Sequence, residues 1–557
     1  MKTTTLAGHE LRLHEQRWKC VAAVLPGVIL TALHGTMLDL PRADIIDALD
    51  SDRYRIYWIL GSYLWGAATG MAMTGFWSGR LGLRGCYFSS LLLFVVASGS
   101  CGLVSDELHM VPLRLLAGYG TGLAISSAMV LIWKVFPEDK ELAMAIYGIG
   151  LYLAAILGSS LGGFLVHAFS WRSVFLVNFP IGFIIIVFGV YIHPTVATFQ
   201  QESKPFDLVG FLLFAGWVLT MIVVLVMGQY WGWFCSPFFV PWFLALVVAF
   251  SGFVIWGVFA RDPLINLRPL AVRNFGLGLC IKGVFAIDLY LLLGFISSYM
   301  INLRGYQWWQ GALVFLPGFC SMLGTMLIGA RWGRDHNRKA RMFLGMAGMT
   351  VMTWYIAAHV DLYWSKVPLS IALTLWAACA GFVIGPAMLT IFHGFSSSRL
   401  GYAAGVYNII RTLPAFCVGA LLVILLTRQS DFQFDRLRLD ITHNRPLVTE
   451  TYKRIEHHFA ERGSGRALQK KQAQALMTKW VHANARVFAF RTGLKYLALV
   501  TALGPLLILF LHPPPTIVSA QREKKWSKDQ STSDKKYQAL VPLRDKAANV
   551  VITTYEV

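Results

Sequence analysis

The sequence predicts an all-α polytopic membrane protein with fourteen transmembrane helices. The chain of 557 residues is 56% hydrophobic and only 14% charged, whereas about 25% of the residues in an average soluble domain are charged. Its apolar residues come in blocks of about 20, the length of a helix that crosses a hydrocarbon core of about 30 Å. These two observations together exclude a soluble globular fold.

The apolar blocks follow one another along most of the chain, and their even number places both termini on one side of the membrane. Lys and Arg are enriched in cytoplasmic loops, and the segments on the side of the termini carry most of them. We therefore expect an N-in, C-in topology. The predicted spans are 19–38, 55–74, 86–104, 108–133, 142–166, 174–193, 208–228, 238–260, 275–302, 310–330, 342–360, 367–392, 401–427 and 490–512.

Two long segments fall outside the spans. The outer loop 428–488 is charged, and from about residue 468 it has a polar helical pattern that runs into the last span. The tail 513–557 begins with three prolines and is rich in Lys and Ser. It has too few apolar residues for a core, so we expect it to be disordered and attracted to anionic lipid.

Composition and motifs argue against several other functions. The net charge of +20 is not arranged as a basic groove interleaved with aromatics, so we expect no nucleic-acid partner. The eight cysteines form no C-x-x-C pair, which argues against a metal site or a disulfide framework. No nucleophile elbow, zinc-protease motif, P-loop or dinucleotide fingerprint occurs. We therefore expect no enzyme activity and no cofactor.

One predicted helix is unusually rich in small residues. Gly150, Gly158 and Gly162 recur on one face, with Gly163 beside them. Glycine costs about 1 kcal/mol relative to alanine inside a helix, but small residues let two helices approach closely in a bilayer. This face either forms a static contact with another helix or belongs to a pliable helix that moves.

Two arginines lie well inside predicted spans, away from the span ends, where a charge normally faces a cavity or a partner. Arg114 lies about four residues inside its span, so it either contacts a buried partner or extends to the outer interface. Arg411 lies about ten residues inside its span and shares a helix face with Asn408. Arg411 is too deep to reach the interface easily.

Acidic residues inside the spans are few. Asp288 lies near the middle of its span, and Asp39 ends the first span, one turn after His34. Lys282 precedes Asp288 on the same helix but projects from a different side. Asp288 is therefore either a static ion pair with another cation or a group that alternates between protonated and paired forms. His34 is either titratable or simply hydrogen-bonded.

A glycine- and arginine-rich loop joins the second and third spans. Gly75 and Gly82 permit a tight turn, while Arg80 and Arg84 can cap helix ends. A less complete copy of this motif follows at 329–341, as expected when two helical bundles descend from one repeat.

Several motifs follow in a typical order along the chain. They are Trp58 and Tyr63 before the Gly75 to Arg84 loop, Arg114 with Gly118 and Gly122, the glycines of 150–163, Trp171 and Arg172 with Asn178, Pro180 and Gly182, and Gly401 with Asn408 and Arg411. This order resembles the major facilitator superfamily, specifically its fourteen-span drug:proton antiporter branch (EmrB/QacA type).

The chain departs from that family pattern at four positions. Gly79 stands where the loop motif has Asp, and Ser159 stands where the antiporter motif has Pro. His34 stands where the first span usually has an acid, and Asp39 where it usually has Asn. The proton site of the family would therefore be shifted to His34, Asp39 or Asp288.

The resemblance implies the major facilitator fold and a proton-coupled antiporter that exports small, drug-like amphipathic molecules across the bacterial inner membrane. It also implies a substrate site between two bundles, and in some relatives a periplasmic adaptor and an outer-membrane channel as partners. The implied segments are an N-terminus (1–18), a first six-helix bundle (19–193), an inserted helix pair (194–274), a second bundle (275–512) and a cytoplasmic tail (513–557).

The intramembrane charges and the resemblance together give candidate roles to residues. The proton-coupling candidates are Asp288, Arg114, Asp39, His34 and Arg411. The gating loop comprises Gly75, Arg80, Gly82 and Arg84, and the antiporter motif comprises Gly150, Gly158, Gly162 and Gly163. The candidates for the substrate pocket are Asn408 and Tyr63.

Two other functions stay open at this point. One is export of a single native metabolite, such as a siderophore or a lipid-like compound. The other is a degenerate transporter that acts as a sensor or scaffold, which the departures at Gly79, Ser159 and His34 motivate.

Overall fold

The computed structural model describes residues 2–38, 45–46, 56–136, 139–192, 205–332, 338–392, 400–440, 446–461 and 466–511. Within these ranges the chain is helical and forms no strand. Asp39 and the tail 513–557 lie outside the described residues. The all-α fold class is confirmed.

The helices follow the predicted spans closely. The first group is α1 (Lys2–Met37), α2 (Ile56–Cys101), α3 (Glu107–Val135), α4 (Lys140–Ala168), α5 (Ser173–Leu176) and α6 (Asn178–Ile192). The middle pair is α7 (Leu208–Trp231) and α8 (Phe239–Phe259). The last group is α9 (Arg273–Ser298), α10 (Trp308–Trp332), α11 (Arg338–His359), α12 (Lys366–Phe392), α13 (Leu400–Asp440), α14 (Pro446–Glu461) and α15 (Arg466–Leu509).

Ten helical stretches among the described residues are long and apolar enough to cross a membrane. One of them, Trp58–Cys101, is 44 residues long and contains two predicted spans. These two spans are separated at Gly82, whose φ of +69° breaks the helical path of α2. Positive φ favours glycine because it lacks a Cβ. The total of fourteen spans stays a prediction.

Close glycine contacts hold α1 to α6 together, and we call this group the first bundle. A methyl group at Gly118 or Gly122 of α3 would overlap backbone carbonyl oxygens of α2. A methyl group at Gly162 of α4 would likewise overlap the carbonyl oxygen of Met37 in α1. The Thr36 hydroxyl donates to the Ala154 carbonyl at 3.3 Å across the same contact. The small-residue face of α4 is therefore a tight contact with α1.

The helices α9 to α13 and α15 form a second group, which we call the second bundle. In it α10 packs on α12, α11 on α12 and α15, and α9 on α13 and α15. The pair α7 and α8 packs on itself, and α7 also contacts α2 and α13. The division of the chain into two bundles and an inserted pair remains a prediction, because all these helices belong to one compact unit, Met1–Leu511.

The two bundles meet along α2 with α13 and along α4 with α10 and α12. A methyl group at Gly75 would overlap the ring of Tyr402 in α13. Near the predicted cytoplasmic side, Arg341 Nη2 of α11 lies 3.0 Å from Glu141 Oε1 of α4. Glycine packing and one ion pair thus join the bundles here.

The predicted outer loop 428–488 contains long helices. The helix α13 continues past the predicted span to Asp440 and is 41 residues long. After the short α14, the helix α15 starts at Arg466 and is 44 residues long. The polar helical pattern expected from residue 468 is therefore present, and the loop is more regular than its mixed composition indicates.

The α1–α4 contact leads to a stability prediction. We expect Gly162→Ala to lower the melting temperature of the purified protein, because the added methyl pushes two backbones apart and costs about 1–3 kcal/mol. Gly216→Ala in α7 is the matched control, since nothing lies within 4 Å of an added Cβ there. Scanning fluorimetry in detergent measures both. An unchanged melting temperature for Gly162→Ala would show that this contact can relax.

Candidate functional site

Arg114 is buried inside the first bundle. Its side chain is 2% exposed. Its Nη1 lies 2.8 Å from His34 Nε2, and its Nε donates to the Ile59 carbonyl at 3.3 Å. The guanidinium also lies 4.3 Å from the ring centroid of Tyr63. The interpretation of Arg114 as a residue that extends to the outer interface is therefore wrong.

His34 links this arginine to α6. Its Nδ1 lies 2.9 Å from Nδ2 of Asn178, and the imidazole is fully buried. Arginine can only donate hydrogen bonds, so Nε2 must accept from Arg114. The single ring proton of a neutral His34 then belongs on Nδ1, and the Asn178 amide must present its oxygen there, since Nδ2 can only donate. That oxygen has no other partner among the described residues. A doubly protonated ring would direct an N–H at the guanidinium, so the Arg114 contact and protonation of His34 exclude each other.

Tyr63, predicted to line the substrate pocket, belongs to the same cluster. It is 9% exposed, and its hydroxyl lies 3.0 Å from Thr121 Oγ1 and donates to the Thr31 carbonyl at 3.3 Å. These contacts join α2 to α3 and α1. Tyr63 therefore holds the polar cluster of the first bundle together.

Asp288 lies in a separate polar cluster of the second bundle. It is fully buried. Its Oδ1 accepts from Thr353 of α11 at 3.1 Å and from Thr501 of α15 at 3.0 Å, while Oδ2 accepts from the Trp376 indole of α12 at 2.9 Å. Among the described residues Asp288 forms no ion pair. The structure therefore does not have the static ion pair with Lys or Arg that was one of the two predictions for Asp288.

Lys282 pairs with a tyrosine of the other bundle. Its Nζ donates to the Tyr152 hydroxyl of α4 at 3.0 Å and lies 4.3 Å from the ring centroid of Phe285. This agrees with the expectation that Lys282 and Asp288 need different partners. Lys282 precedes Asp288 by about one and a half helical turns, so the two side chains leave α9 on different sides. The side chain of Lys282 leaves it on the side that faces the first bundle.

Arg411 and Asn408 lie where the bundles meet. Arg411 donates through Nε to Asn408 Oδ1 at 3.3 Å and through Nη1 to the Tyr290 hydroxyl of α9. Asn408 Nδ2 donates to Ser126 Oγ of α3 at 3.2 Å. The helix face that the sequence predicts for Asn408 and Arg411 is thus a polar contact between the two bundles.

A small cavity lies beside Tyr152 and Trp376, the partners of Lys282 and Asp288. It has a volume of about 20 Å³, and Tyr152 and Trp376 line it together with apolar side chains. Tyr152 contacts Lys282, and Trp376 contacts Asp288. Sequence reasoning missed both aromatic residues. Their position in mid-span, away from the interfacial belt, is the signal that could have identified them.

The gating-loop arginines lie at the surface. Arg80 covers the ring of Phe76 at 4.3 Å, and Arg84 Nη2 donates to the Val190 carbonyl at the end of α6 at 2.9 Å. In these contacts Arg84 acts as the predicted helix cap, and neither arginine approaches the buried clusters. Of the antiporter-motif glycines, Gly150 faces Leu25 and Gly158 faces Thr36, both on α1, whereas Gly163 is partly exposed.

The sequence comparison decides the family. The model of the Major Facilitator Superfamily matches residues 18–419. The chain belongs to that superfamily. It is therefore a transporter of small molecules rather than an enzyme, and a multi-pass protein of the bacterial inner membrane. The predicted resemblance is confirmed.

Curated relatives of this superfamily member point to the predicted branch. The multidrug export protein EmrB of Haemophilus influenzae is 22% identical over 471 residues, which cover 82% of this chain and 88% of that protein. The multidrug transporter protein MdtP of Bacillus subtilis is 23% identical over 430 residues, covering 76% and 78%. Both agree with the drug:proton antiporter branch.

A solved structure of the superfamily has the same fold. The proton:xylose symporter XylE aligns with a TM-score of 0.55 at 12% identity, over 89% of this chain and 96% of that one. At this identity the likeness concerns the fold alone.

The His34–Arg114 contact leads to a spectroscopic prediction. We expect solid-state NMR of the ¹⁵N-histidine-labelled protein to show His34 as a neutral ring with its proton on Nδ1, because Nε2 accepts from Arg114. Comparison with His34→Gln assigns the signal among the 14 histidines. Arg114→Gln should broaden or shift it, since the donor is removed. A proton on Nε2 in the wild type would contradict the contact.

Proposed function

We propose that this transporter is a proton-coupled antiporter that exports small organic molecules, with Asp288 as a proton-binding group. The carrying observation is a fully buried carboxylate whose contacts within the described ranges all come from neutral donors. An intramembrane acid of this kind is expensive and marks a functional site by default. A purely structural carboxylate would be expected to have a cation beside it.

The hydroxyl partners of Asp288 serve both of its protonation states. The ionised carboxylate accepts from Thr353, Thr501 and Trp376. When protonated it can donate to Thr501 Oγ1, because that hydroxyl then turns to the Leu497 carbonyl, which lies 2.8 Å away. A hydroxyl both donates and accepts, so uptake of a proton leaves no buried hydrogen-bonding group without a partner.

The first bundle supports the proposal independently. Protonation of His34 and its contact with Arg114 exclude each other, so a proton on His34 favours a different arrangement of α1 and α3. A two-state contact of this kind is what couples proton binding to a conformational change. His34 would thus take the role of the acid that the family has in its first span.

The relatives support the direction of transport and the kind of substrate. EmrB is named as a multidrug export protein and MdtP as a multidrug transporter protein. A dedicated exporter of one metabolite remains the alternative, and competition between chemically unrelated compounds distinguishes the two. A non-transporting sensor would show no proton-driven flux at all.

The main test replaces the acid. In proteoliposomes that are acidic inside, we expect the wild type to accelerate uptake of ethidium or of 1-anilinonaphthalene-8-sulfonate. Asp288→Asn should reduce this gradient-driven uptake at least about tenfold, because a proton-transfer group typically contributes a factor of 10² or more, while dye exchange without a gradient persists. Asp106→Asn is the matched control, since Asp106 is an exposed helix cap and Asn caps equally well. Full gradient-driven uptake by Asp288→Asn would exclude Asp288 as the proton site.

We also propose that the helices beyond the predicted outer face contact a periplasmic adaptor. The regular helical structure of α13, α14 and α15 outside the expected spans supports this proposal. Replacing residues 446–461 by a Gly-Ser linker should then reduce export from intact cells several-fold and leave transport in proteoliposomes unchanged. Equal export from intact cells would refute this role.

A further inference from the structure

The contact between the two bundles contains two buried cations. Lys282 of α9 is 1% exposed and Arg411 of α13 is 5% exposed. In the part of the chain that the structure describes, neither forms an ion pair. Charged side chains in the hydrocarbon region are rare, normally pair with one another or with backbone carbonyls, and mark substrate or ion pathways. Two cations without a counterion among the described residues make this contact a candidate anion site.

The lysine is only partly compensated by its surroundings. An ammonium group has three N–H donors, and one of them has an oxygen partner, the Tyr152 hydroxyl at 3.0 Å. The rings of Phe285 and Tyr407 lie 4.3 and 5.6 Å from Nζ. Aromatic faces attract a cation, but they supply no hydrogen-bond acceptor of the strength of a carboxylate. The other two N–H groups of Lys282 have no oxygen partner among the residues that the structure describes.

The arginine and a neighbouring tyrosine add further donors. Toward the described part of the chain Arg411 uses two of its five N–H groups, which donate to Asn408 and Tyr290. The Tyr407 hydroxyl is buried and has no hydrogen-bond partner within the described ranges. Buried hydroxyl groups are nearly always hydrogen-bonded in proteins. The donors left over here, on Lys282, Arg411 and Tyr407, are those that would receive one anionic group.

The cavity beside Tyr152 supplies an apolar wall. Leu289 and Leu293 of α9 and Phe319 and Met322 of α10 line it. A volume of about 20 Å³ holds no more than about one water molecule. Its walls come from both bundles, so a separation of α4 from α10 would enlarge it. A ligand would then have an apolar pocket next to two cations.

We propose that this site binds an amphipathic organic anion, with its anionic group between Lys282 and Arg411 and its apolar body in the pocket beside Tyr152. This inference rests on the proposed transport function and defines its substrate class. An organic cation fits poorly, because it would add a third positive charge where no carboxylate is in contact. The site thus selects by charge first and by apolar shape second.

The test measures binding without any gradient. The full chain in lipid nanodiscs is dialysed to equilibrium with 1-anilinonaphthalene-8-sulfonate, with its uncharged counterpart N-phenyl-1-naphthylamine, or with tetraphenylphosphonium, and empty nanodiscs correct for partition into lipid. We expect the sulfonate to bind at least about tenfold more tightly than the uncharged compound, since it alone pairs with buried cations. Equal affinity of the two would overturn the inference.

Three variants locate the site. Lys282→Met should weaken sulfonate binding at least about tenfold and leave the uncharged compound unaffected, because it removes the charge and keeps the length. Lys282→Arg should restore most of the affinity. Lys495→Met is the control, since Lys495 is an exposed lysine of α15. Lys282→Met is expected to fold, because replacing a buried charge that has no counterion by an apolar side chain is neutral or stabilising.

The outcomes separate this inference from the proposed function. If Lys282→Met binds the sulfonate as the wild type does, the anion site is wrong, whatever the transport assay shows. If tetraphenylphosphonium binds and ethidium is driven by the proton gradient, the antiporter stands and the substrate class is overturned. If neither dye responds to a gradient, the proposed function fails even where the sulfonate binds.

Discussion

The arrangement of the helices depends on one constraint: a charge inside the hydrocarbon region must find its partners on other helices. Arg114 finds them on α1 and α2, Asp288 on α11, α12 and α15, and Lys282 on α4. Water is not available there to satisfy these groups. Each buried charge therefore joins several helices, and the glycine contacts bring those helices close enough for it to do so.

The buried polar groups inside the first bundle differ from those at the contact between the two bundles. In the first bundle His34 lies between Arg114 and Asn178 and contacts both of them. At the contact between the bundles Lys282 and Arg411 meet tyrosines and an amide. The first cluster lies within one bundle, whereas the second joins the two bundles and forms the proposed anion site.

Much of the fold could be predicted from the sequence, since apolar blocks, loop charges and small-residue spacing are local patterns. Each predicted span lies on a helix, and Gly82 separates two of them as the loop motif indicates. The partners of the charges could not be predicted. Whether Arg114 meets His34 or the interface depends on how α3 is placed against α1. The acceptor of Lys282 lies on α4, far away in sequence and in the other bundle.

Tyr152 and Trp376 are the residues that join the two proposed activities in space. One contacts Lys282, the other contacts Asp288, and both line the same cavity. The proposed proton site at Asp288 and the proposed anion site at Lys282 thus each contact a side chain that lines this cavity. Coupling between two sites needs an element whose position both can bias. Tyr152 lies on α4 and Trp376 on α12, and these two helices contact each other.

The long outer part of α13 has a mechanical consequence. A helix of 41 residues is roughly 60 Å long, about twice the hydrocarbon thickness. It is continuous with the membrane part that carries Asn408 and Arg411, so it rotates with the second bundle. The helix extends roughly 20 Å beyond the predicted span, so a rocking motion of roughly 10° would move its end by about 3.5 Å. A change in the position of the second bundle would thus displace the outer end of α13, where a protein outside the bilayer could detect it.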